Sequence, residues 1–266
     1  MNFHIRTGEY RQRERPLPSG QDAVSYLGDM GADVAIVANN HTYDFGEQGL
    51  LDTLDTLEQA SIHALGAGRN IKEASAPVYF IVNDMKIALI AATQIERLDN
   101  PDTKEATETS PGGFRCWNPE RLCEVIAQAK AESDFVIVCV HWGTENESNP
   151  DWAQTDQAPL YAQAGADLIV GDHPHCLQGI TYCGNTPVLY SLGNFWFNSK
   201  TLDTGLLKVS IGQDGMKSLQ FIPAIQSDCR VKMVYDSEKE RILSYLRSLS
   251  PGVQIDSDGY ISQNGS

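Results

Sequence analysis

Three apolar runs in this sequence end directly before histidines, and this pattern constrains the fold more than any other feature. The runs cover residues 34–38, 135–140 and 166–170, and they continue into Asn39-Asn40-His41, His141-Trp142-Gly143 and Gly171-Asp172-His173-Pro174-His175. Continuous runs of valine, isoleucine and leucine are typical of strands that are buried on both faces. Side chains that follow the ends of parallel strands meet at one edge of a sheet, where binding sites form. Four of the six histidines therefore lie just past predicted strand ends.

The rest of the chain predicts an α/β protein with two kinds of sheet. In the N-terminal half, apolar runs alternate with helical patterns, such as the leucines repeating at helical spacing over residues 46–60. In the C-terminal half, apolar runs at 180–192 and 206–222 are broken by Gly-containing turns, which predicts antiparallel hairpins. A sandwich of two sheets flanked by helices accommodates both halves in one fold.

The composition and the placement of proline- and glycine-rich segments predict a single folded domain over residues 21–250. Residues 1–20 are polar, basic and rich in proline, and are interpreted as an irregular opening segment. Residues 96–115, which contain two prolines and a Gly-Gly pair, are predicted to be a long surface loop. Residues 251–266 are interpreted as a polar tail that docks only loosely on the domain.

The charge of the chain excludes one large class of partners. The sequence has 20 Lys and Arg against 35 Asp and Glu, a formal charge of −15. Such a surface repels phosphate backbones, so nucleic acid is not an expected partner. An acidic chain can still bind an anionic substrate when metal ions supply local positive charge. The sequence contains no signal segment and no apolar run of the roughly 20 residues that span a bilayer.

The residues at the strand ends are suited to a metal site. Imidazole binds zinc, manganese and iron, and the carbonyl oxygen of asparagine suits the harder ions of that group. Asn40, His141, His173 and His175 are therefore the candidate ligands of a divalent transition metal. An alternative interpretation is that His173 and His175 are loop histidines with ordinary hydrogen bonds.

Several neighbours of the candidate ligands are given a role or a simpler explanation. His41, adjacent to Asn40, is a candidate proton donor or a stabiliser of negative charge in a reaction. Asp44 and Glu145 are candidate carboxylates that orient histidines, and solvated loop carboxylates are the alternative. Asp172 and Asn194 are more simply explained as turn residues.

Four motifs together resemble those of the CapA-type bacterial capsule proteins, a family associated with poly-γ-glutamate synthesis. The motifs are residues 39–46, 141–145, 171–179 and 191–195, in matching order and spacing. This family resembles the calcineurin-like metallophosphoesterases, so the resemblance implies their four-layer αββα sandwich. It also implies that Asn40, His141 and His173 bind a second metal ion, that His175 binds a first, and that His41 is the catalytic histidine.

The resemblance also implies an expectation about the beginning of the chain. Members of the family open with a Gly-Asp motif whose aspartate binds the first metal, followed by an Asn-Leu-Glu motif. In the family both motifs come before a segment that Phe3-His4-Ile5-Arg6 of this chain resembles. Neither motif is found in the sequence here. We therefore expect an N-terminally incomplete fold that binds one ion, where a complete family member binds two.

Two functions remain open on the sequence. The first is a metal-dependent hydrolase, or a metal-binding factor, that acts on poly-γ-glutamate or a related envelope polymer by phosphoester or amide hydrolysis. The second is a binding or assembly subunit that retains the fold without turnover. The resemblance further implies that the protein is located in the cell envelope, outside the cytoplasm, with other capsule-synthesis proteins as partners.

Overall fold

The computed structural model describes residues 24–95, 104–195, 197 and 200–264. Its contacts divide the chain into two compact units. Of the described residues, the N-terminal unit comprises 24–78, 89–95 and 104–125, and the C-terminal unit comprises 79–88 and those from 126 onward. The predicted opening segment, residues 1–20, lies outside the described residues. The assignment of residues 21–250 to one domain stays a prediction.

The described residues form helices and strands in alternation before a region dominated by hairpins. The helices are α1 (Val24–Asp29), α2 (Gly46–Gln59), α3 (Ile71–Ala74), α4 (Pro119–Glu132), α5 (Trp152–Ala164) and α6 (Asp236–Leu249). The first eight strands are β1 (Val34–Ile36), β2 (His63–Leu65), β3 (Ala67–Gly68), β4 (Val78–Val82), β5 (Met85–Thr93), β6 (Gly112–Gly113), β7 (Phe135–His141) and β8 (Leu168–Asp172). The remaining strands are β9 (Ile180–Cys183), β10 (Thr186–Leu189), β11 (Leu202–Gly212), β12 (Gly215–Ser227), β13 (Arg230–Met233), β14 (Val253–Ile255) and β15 (Ile261–Gln263).

In the N-terminal unit, a short strand leads directly into the Asn-Asn-His motif. Strand β1 pairs in parallel with β2, and the predicted leucine stripe of α2 is buried. Leu50, Leu54 and Leu57 pack in one cluster with Val37, the residue after the strand. This packing holds the chain at the end of β1 and so determines where the motif begins.

In the C-terminal unit, the strands that precede the other histidines are hydrogen-bonded neighbours. The six-stranded sheet has the order β4-β5-β7-β8-β10-β9. Strands β7 and β8 run parallel, in a register that pairs His141 with Asp172. Since the two strands end side by side, His141 and the turn that begins at His173 lie at the same edge of the sheet.

The predicted C-terminal hairpins are confirmed, and they share a hydrophobic cluster with the six-stranded sheet. Strands β11, β12 and β13 form an antiparallel sheet. Phe221 of this sheet and Ile242 and Leu243 of α6 are buried in one hydrophobic cluster. Among the described residues, no helix is long and apolar enough to cross a membrane.

Two predicted surface segments are more ordered than the sequence suggests. The supposed polar tail forms the hairpin β14–β15, and its Ile255 and Ile261 are buried in the core cluster. The prediction of a loose tail was therefore wrong. The part of the predicted surface loop that the structure describes, residues 104–115, pairs with β3 through β6, and Phe114 is 1% exposed.

Candidate metal centre

The ring nitrogens of His141 and His173 face each other at the ends of β7 and β8. The distance from His141 Nε2 to His173 Nδ1 is 3.1 Å, and the two residues are 3% and 8% exposed. Two imidazole nitrogens bound to one tetrahedral zinc ion, each at about 2.0–2.1 Å, are separated by about 3.3 Å. The observed spacing therefore fits two ligands of a single ion.

The second ring nitrogen of His141 contacts a carboxylate. His141 Nδ1 lies 3.1 Å from Asp172 Oδ1, its partner across the parallel pair. Desolvation acts to raise the pKa of the Asp172 carboxyl, but the neighbouring imidazole of His141 lowers it through charge and hydrogen bonding, and the pKa lies below its ordinary value. Contacts of this kind orient metal-binding histidines. The sequence favoured a turn role for Asp172 over contact with a histidine, and the structure shows the contact with His141.

His175 is positioned by an asparagine from the turn after β10. Its Nδ1 lies 2.8 Å from Asn194 Oδ1, and its ring stacks on Phe197 with centroids 4.8 Å apart. When Nδ1 donates its proton to that amide oxygen, Nε2 carries the lone pair that can bind a metal ion. The sequence favoured a turn role for Asn194 over contact with the site, and the structure shows the contact with His175.

The two histidines of the turn have unusual backbone conformations. His173 has φ of 98° and His175 has φ of 61°, in the left-handed region that non-glycine residues rarely occupy. Such conformations cost about 1–3 kcal/mol each, and they concentrate at ligand-binding and active sites. The strain indicates that the turn is shaped to present these two side chains.

Glu145 adds a carboxylate beside this turn. One ligand atom each from Glu145, His173 and His175 lie within 4.8 Å of one another. Imidazole and carboxylate together are a donor set that suits zinc, manganese and iron. These residues therefore fit a divalent transition metal, which when bound would polarise a substrate oxygen and lower the pKa of a bound water.

In the N-terminal unit, His41 is held by a carboxylate within its own motif. His41 Nδ1 lies 2.7 Å from Asp44 Oδ2, and the exposed fractions of the two side chains are 33% and 9%. The backbone N–H of His41 donates to Asn39 Oδ1 at 2.8 Å. An imidazole that is anchored at Nδ1 and partly exposed is suited to proton transfer through Nε2.

The turn that carries Asn40 is tied to the end of β1 by a buried hydroxyl. Thr42 Oγ1 donates to the carbonyl of Val37 or of Asn39, at 2.6 and 2.7 Å, and accepts from the N–H of Asn39 at 3.1 Å. Asn40 is 2% exposed. Burying an amide side chain costs free energy unless the amide is hydrogen-bonded or binds an ion. The surroundings of Asn40 therefore restrict which side chain can occupy this position.

The structure thus groups the candidate residues within each unit. His141, His173, His175 and Glu145 lie in the C-terminal unit, whereas Asn40, His41 and Asp44 lie in the N-terminal unit. The sequence prediction that Asn40, His141, His173 and His175 converge in one pocket stays a prediction, which metal binding by variants can test.

Comparison with known proteins gives matches over most of the chain. Residues 6–199 match the family described as bacterial capsule synthesis protein PGA_cap. The PGA biosynthesis protein CapA of Bacillus subtilis is 33% identical over 220 residues, covering 80% of this chain and 57% of that protein. The capsule biosynthesis protein CapA of Bacillus anthracis is 33% identical over 214 residues, covering 78% and 51%. The chain thus spans about half the length of these relatives.

A solved structure shares the fold at low sequence identity. The sulfate thiohydrolase SoxB of Thermus thermophilus, in complex with glycerol, superposes with a TM-score of 0.50 and 16% identity, over 86% of this chain and 39% of that chain. The predicted fold class, α/β and metallophosphoesterase-like, is confirmed. At this identity the likeness describes the fold and not the reaction.

Proposed function

Since this chain belongs to the bacterial capsule synthesis family PGA_cap, we propose that it is a metal-dependent hydrolase acting on an anionic envelope polymer. The polymer is poly-γ-glutamate or a related chain, and the bond cleaved is an amide or a phosphoester. The two CapA relatives are named for PGA and capsule biosynthesis. We further propose a place of action in the cell envelope, together with other capsule-synthesis proteins.

One observation carries this proposal: two buried imidazoles meet at 3.1 Å beside a strained turn that presents a third. Ring nitrogens at this spacing can share one proton in a hydrogen bond, or direct two lone pairs at one metal ion. We therefore propose His141, His173 and His175 as metal ligands, with Asn40 as a further ligand on the basis of the family resemblance.

His41 and Asp44 are proposed to move a proton in the reaction. A neutral His41 whose Nδ1–H donates to the Asp44 carboxylate presents Nε2 as a base, and its protonated form presents an acid. The carboxylate keeps the ring in one orientation and in one tautomer. Both the base and the acid role use Nε2 on the partly exposed side of the ring. In the acid role Nε2–H would protonate a leaving group.

The negative charge of the chain leads to a prediction about polymer binding. A protein of formal charge −15 repels a polyglutamate chain, and a bound divalent ion lowers that repulsion only locally. We expect binding of poly-γ-glutamate to require Mn²⁺ and to strengthen as salt screens the repulsion between the negative charges of the protein and those of the polymer. Fluorescence anisotropy of a labelled polymer at 50 and 300 mM NaCl, with and without Mn²⁺, measures this. Equal binding after chelation would contradict the prediction.

A metal-reconstitution assay tests the proposed function itself. The protein is stripped with a chelator, reloaded with Mn²⁺, and incubated with poly-γ-glutamate and with bis(p-nitrophenyl) phosphate. Metal-dependent cleavage of either compound is the expected result. Polymer binding with no cleavage would favour the alternative, a binding or assembly subunit. A protein that binds neither metal nor polymer would overturn both.

Replacing His41 with alanine is expected to lower turnover about 100-fold, the lower end of what a proton-transferring group contributes. Its Nδ1 contact is to Asp44 and not to a metal ligand, so we expect the metal content of the parent to be retained. Elemental analysis and the cleavage assay check both parts. The exposed His63 provides a matched control, His63→Ala, in the same unit. Loss of metal in His41→Ala alone would reassign His41 as a ligand.

A further inference from the structure

We propose that Glu145 binds the same ion as His173 and His175, and that a buried pair of glutamine amides, Gln154 and Gln178, positions it. This inference rests on the proposed metal site and adds a ligand and its support. Glu145 is itself exposed, but ligand atoms of the three residues lie within 4.8 Å of one another. An exposed side chain serves as a ligand only if its loop is held in place.

The backbone next to Glu145 is tied to the histidine turn. The N–H of Asn146 donates to the carbonyl of Pro174, the residue between the two histidines, at 2.8 Å. Asn146 has φ of 63°, so the chain reverses sharply just after Glu145. This hydrogen bond joins the loop after β7 to the histidine turn, close to the position where the Glu145 carboxylate lies beside the two imidazoles.

The second tie is the pair of buried amides. Gln178, which follows the turn, donates through Nε2 to the carbonyls of Glu147 at 2.8 Å and Asn149 at 3.3 Å. Its Oε1 accepts from Gln154 Nε2 at 2.7 Å. Gln154 and Gln178 are 0% and 1% exposed. The pair thus links the loop after β7 to the segment that carries both histidines.

The start of α5 completes the support of the loop. Gln154 Oε1 accepts from the N–H of Asp151 at 3.0 Å, and Thr144 Oγ1 donates to Asp151 Oδ2 at 2.9 Å. A Cβ on Gly143, whose φ is 90°, would lie 2.6 Å from Gln154 Oε1. Glycine at this position therefore allows the amide to approach the loop closely, directly before Thr144 and Glu145.

Burying the amides of Gln154 and Gln178 costs desolvation free energy that apolar side chains of similar size would not. Two buried glutamines require full hydrogen bonding, whereas leucine would fill a similar volume without that requirement. Here the donors of Gln178 are directed at the loop carbonyls that follow Glu145. The geometry is that of partners which orient a metal ligand and whose loss weakens metal affinity about 10–100-fold.

The test is a double-mutant cycle on Mn²⁺ affinity, measured by isothermal titration calorimetry with the metal alone. We expect Glu145→Gln to weaken Mn²⁺ binding at least about tenfold and Gln178→Leu about tenfold. In the Glu145→Gln background, Gln178→Leu should have no further effect, because the amide acts only through Glu145. Gln157→Leu is the matched control, since Gln157 is a buried glutamine of α5, the helix that carries Gln154, and its amide oxygen accepts from the Tyr161 hydroxyl. The Mn²⁺ affinity of this variant should equal that of the parent.

A second readout uses Co²⁺ in place of Mn²⁺. Replacing a carboxylate ligand changes the visible absorption of bound Co²⁺, so Glu145→Gln should shift the spectrum while Gln157→Leu leaves it unchanged. Glu145 lies on an exposed loop, so its variant keeps the inference testable even if Gln178→Leu does not fold. Equal affinity and equal spectra for Glu145→Gln and the parent would overturn this inference alone. A parent that binds no metal would instead overturn the proposed function.

Discussion

Replacing His173 with alanine is expected to lower the affinity of the protein for Mn²⁺ or Zn²⁺ more than 100-fold. His173 takes part in both groupings of ligand atoms, through Nδ1 with His141 and in the cluster with Glu145 and His175. Residues that only orient a ligand contribute about 10–100-fold to metal affinity, so the loss of a shared ligand should exceed that range. Calorimetric titration of the stripped protein measures the change.

The fold should survive this substitution. The side chain lies just past the end of a strand, and histidine already carries the backbone strain of φ 98°, so alanine adds little to it. We expect a circular dichroism spectrum like that of the parent, and a melting temperature that Mn²⁺ raises in the parent but not in the variant. His63→Ala, on the exposed side of β2, should behave as the parent in both respects. Unchanged Mn²⁺ affinity in His173→Ala would remove His173 from the site.

The meeting of His141 and His173 at one sheet edge could be predicted because each lies just past a continuous apolar run. Such runs indicate buried parallel strands, and residues after neighbouring strands meet at one sheet edge. Strands β7 and β8 are indeed parallel neighbours, and His141 and His173 meet. The sequence order of the motifs also identified the family. These inferences succeed because local pattern and overall topology agree.

The residues that support the histidines could not be predicted with the same ease. Asp172 contacts His141 only because the register of β7 on β8 places them opposite each other. Asn194 reaches His175 from a turn 19 residues further along the chain. Strand register and contacts made by distant turns depend on tertiary packing. In the sequence, Asp172 and Asn194 each follow a glycine and therefore resemble ordinary turn residues.

Two ordered segments were missed because glycine and polar residues hid their packing. The large apolar side chains that the C-terminal hairpin buries are Ile255 and Ile261, and two isolated isoleucines in a polar stretch give no periodic signal. Gly112 and Gly113 suggested a flexible loop, yet a Cβ on Gly112 would collide with the backbone of Ala106. Glycine here allows two backbones to approach each other closely, a role that composition cannot distinguish from a turn.

The glycine that begins the Gly-Asp-His-Pro-His motif has a related role with a larger consequence. The indole N–H of Trp142 donates to the carbonyl of Tyr190 at 3.1 Å. A Cβ on Gly171 would collide with both the indole nitrogen and that carbonyl oxygen. Trp142 is fully buried, stacked on Tyr161 with centroids 6.3 Å apart, so it has no space into which to move.

We therefore expect Gly171→Ala to lower the free energy of unfolding of the metal-free protein by about 3 kcal/mol or more. Breaking a buried hydrogen bond costs about 1–3 kcal/mol, and forcing a methyl group into a packed core costs about 1–3 kcal/mol in addition. Urea unfolding followed by tryptophan fluorescence measures the change. Since His173 lies two residues beyond, Mn²⁺ affinity should also fall.

Two further variants separate this collision from a general intolerance of glycine substitution. Gly184 has φ of 64° and no atom near its would-be Cβ, and asparagine tolerates that backbone, so Gly184→Asn should change stability by less than about 1 kcal/mol. In a Trp142→Phe background the indole N–H is gone, so Gly171→Ala should cost less there than in the parent. Equal costs in the two backgrounds would show that the indole is not what excludes a side chain at Gly171. A parent-like stability of Gly171→Ala would mean that β8 can move away from Trp142 without loss, contrary to the packing at the end of the strand.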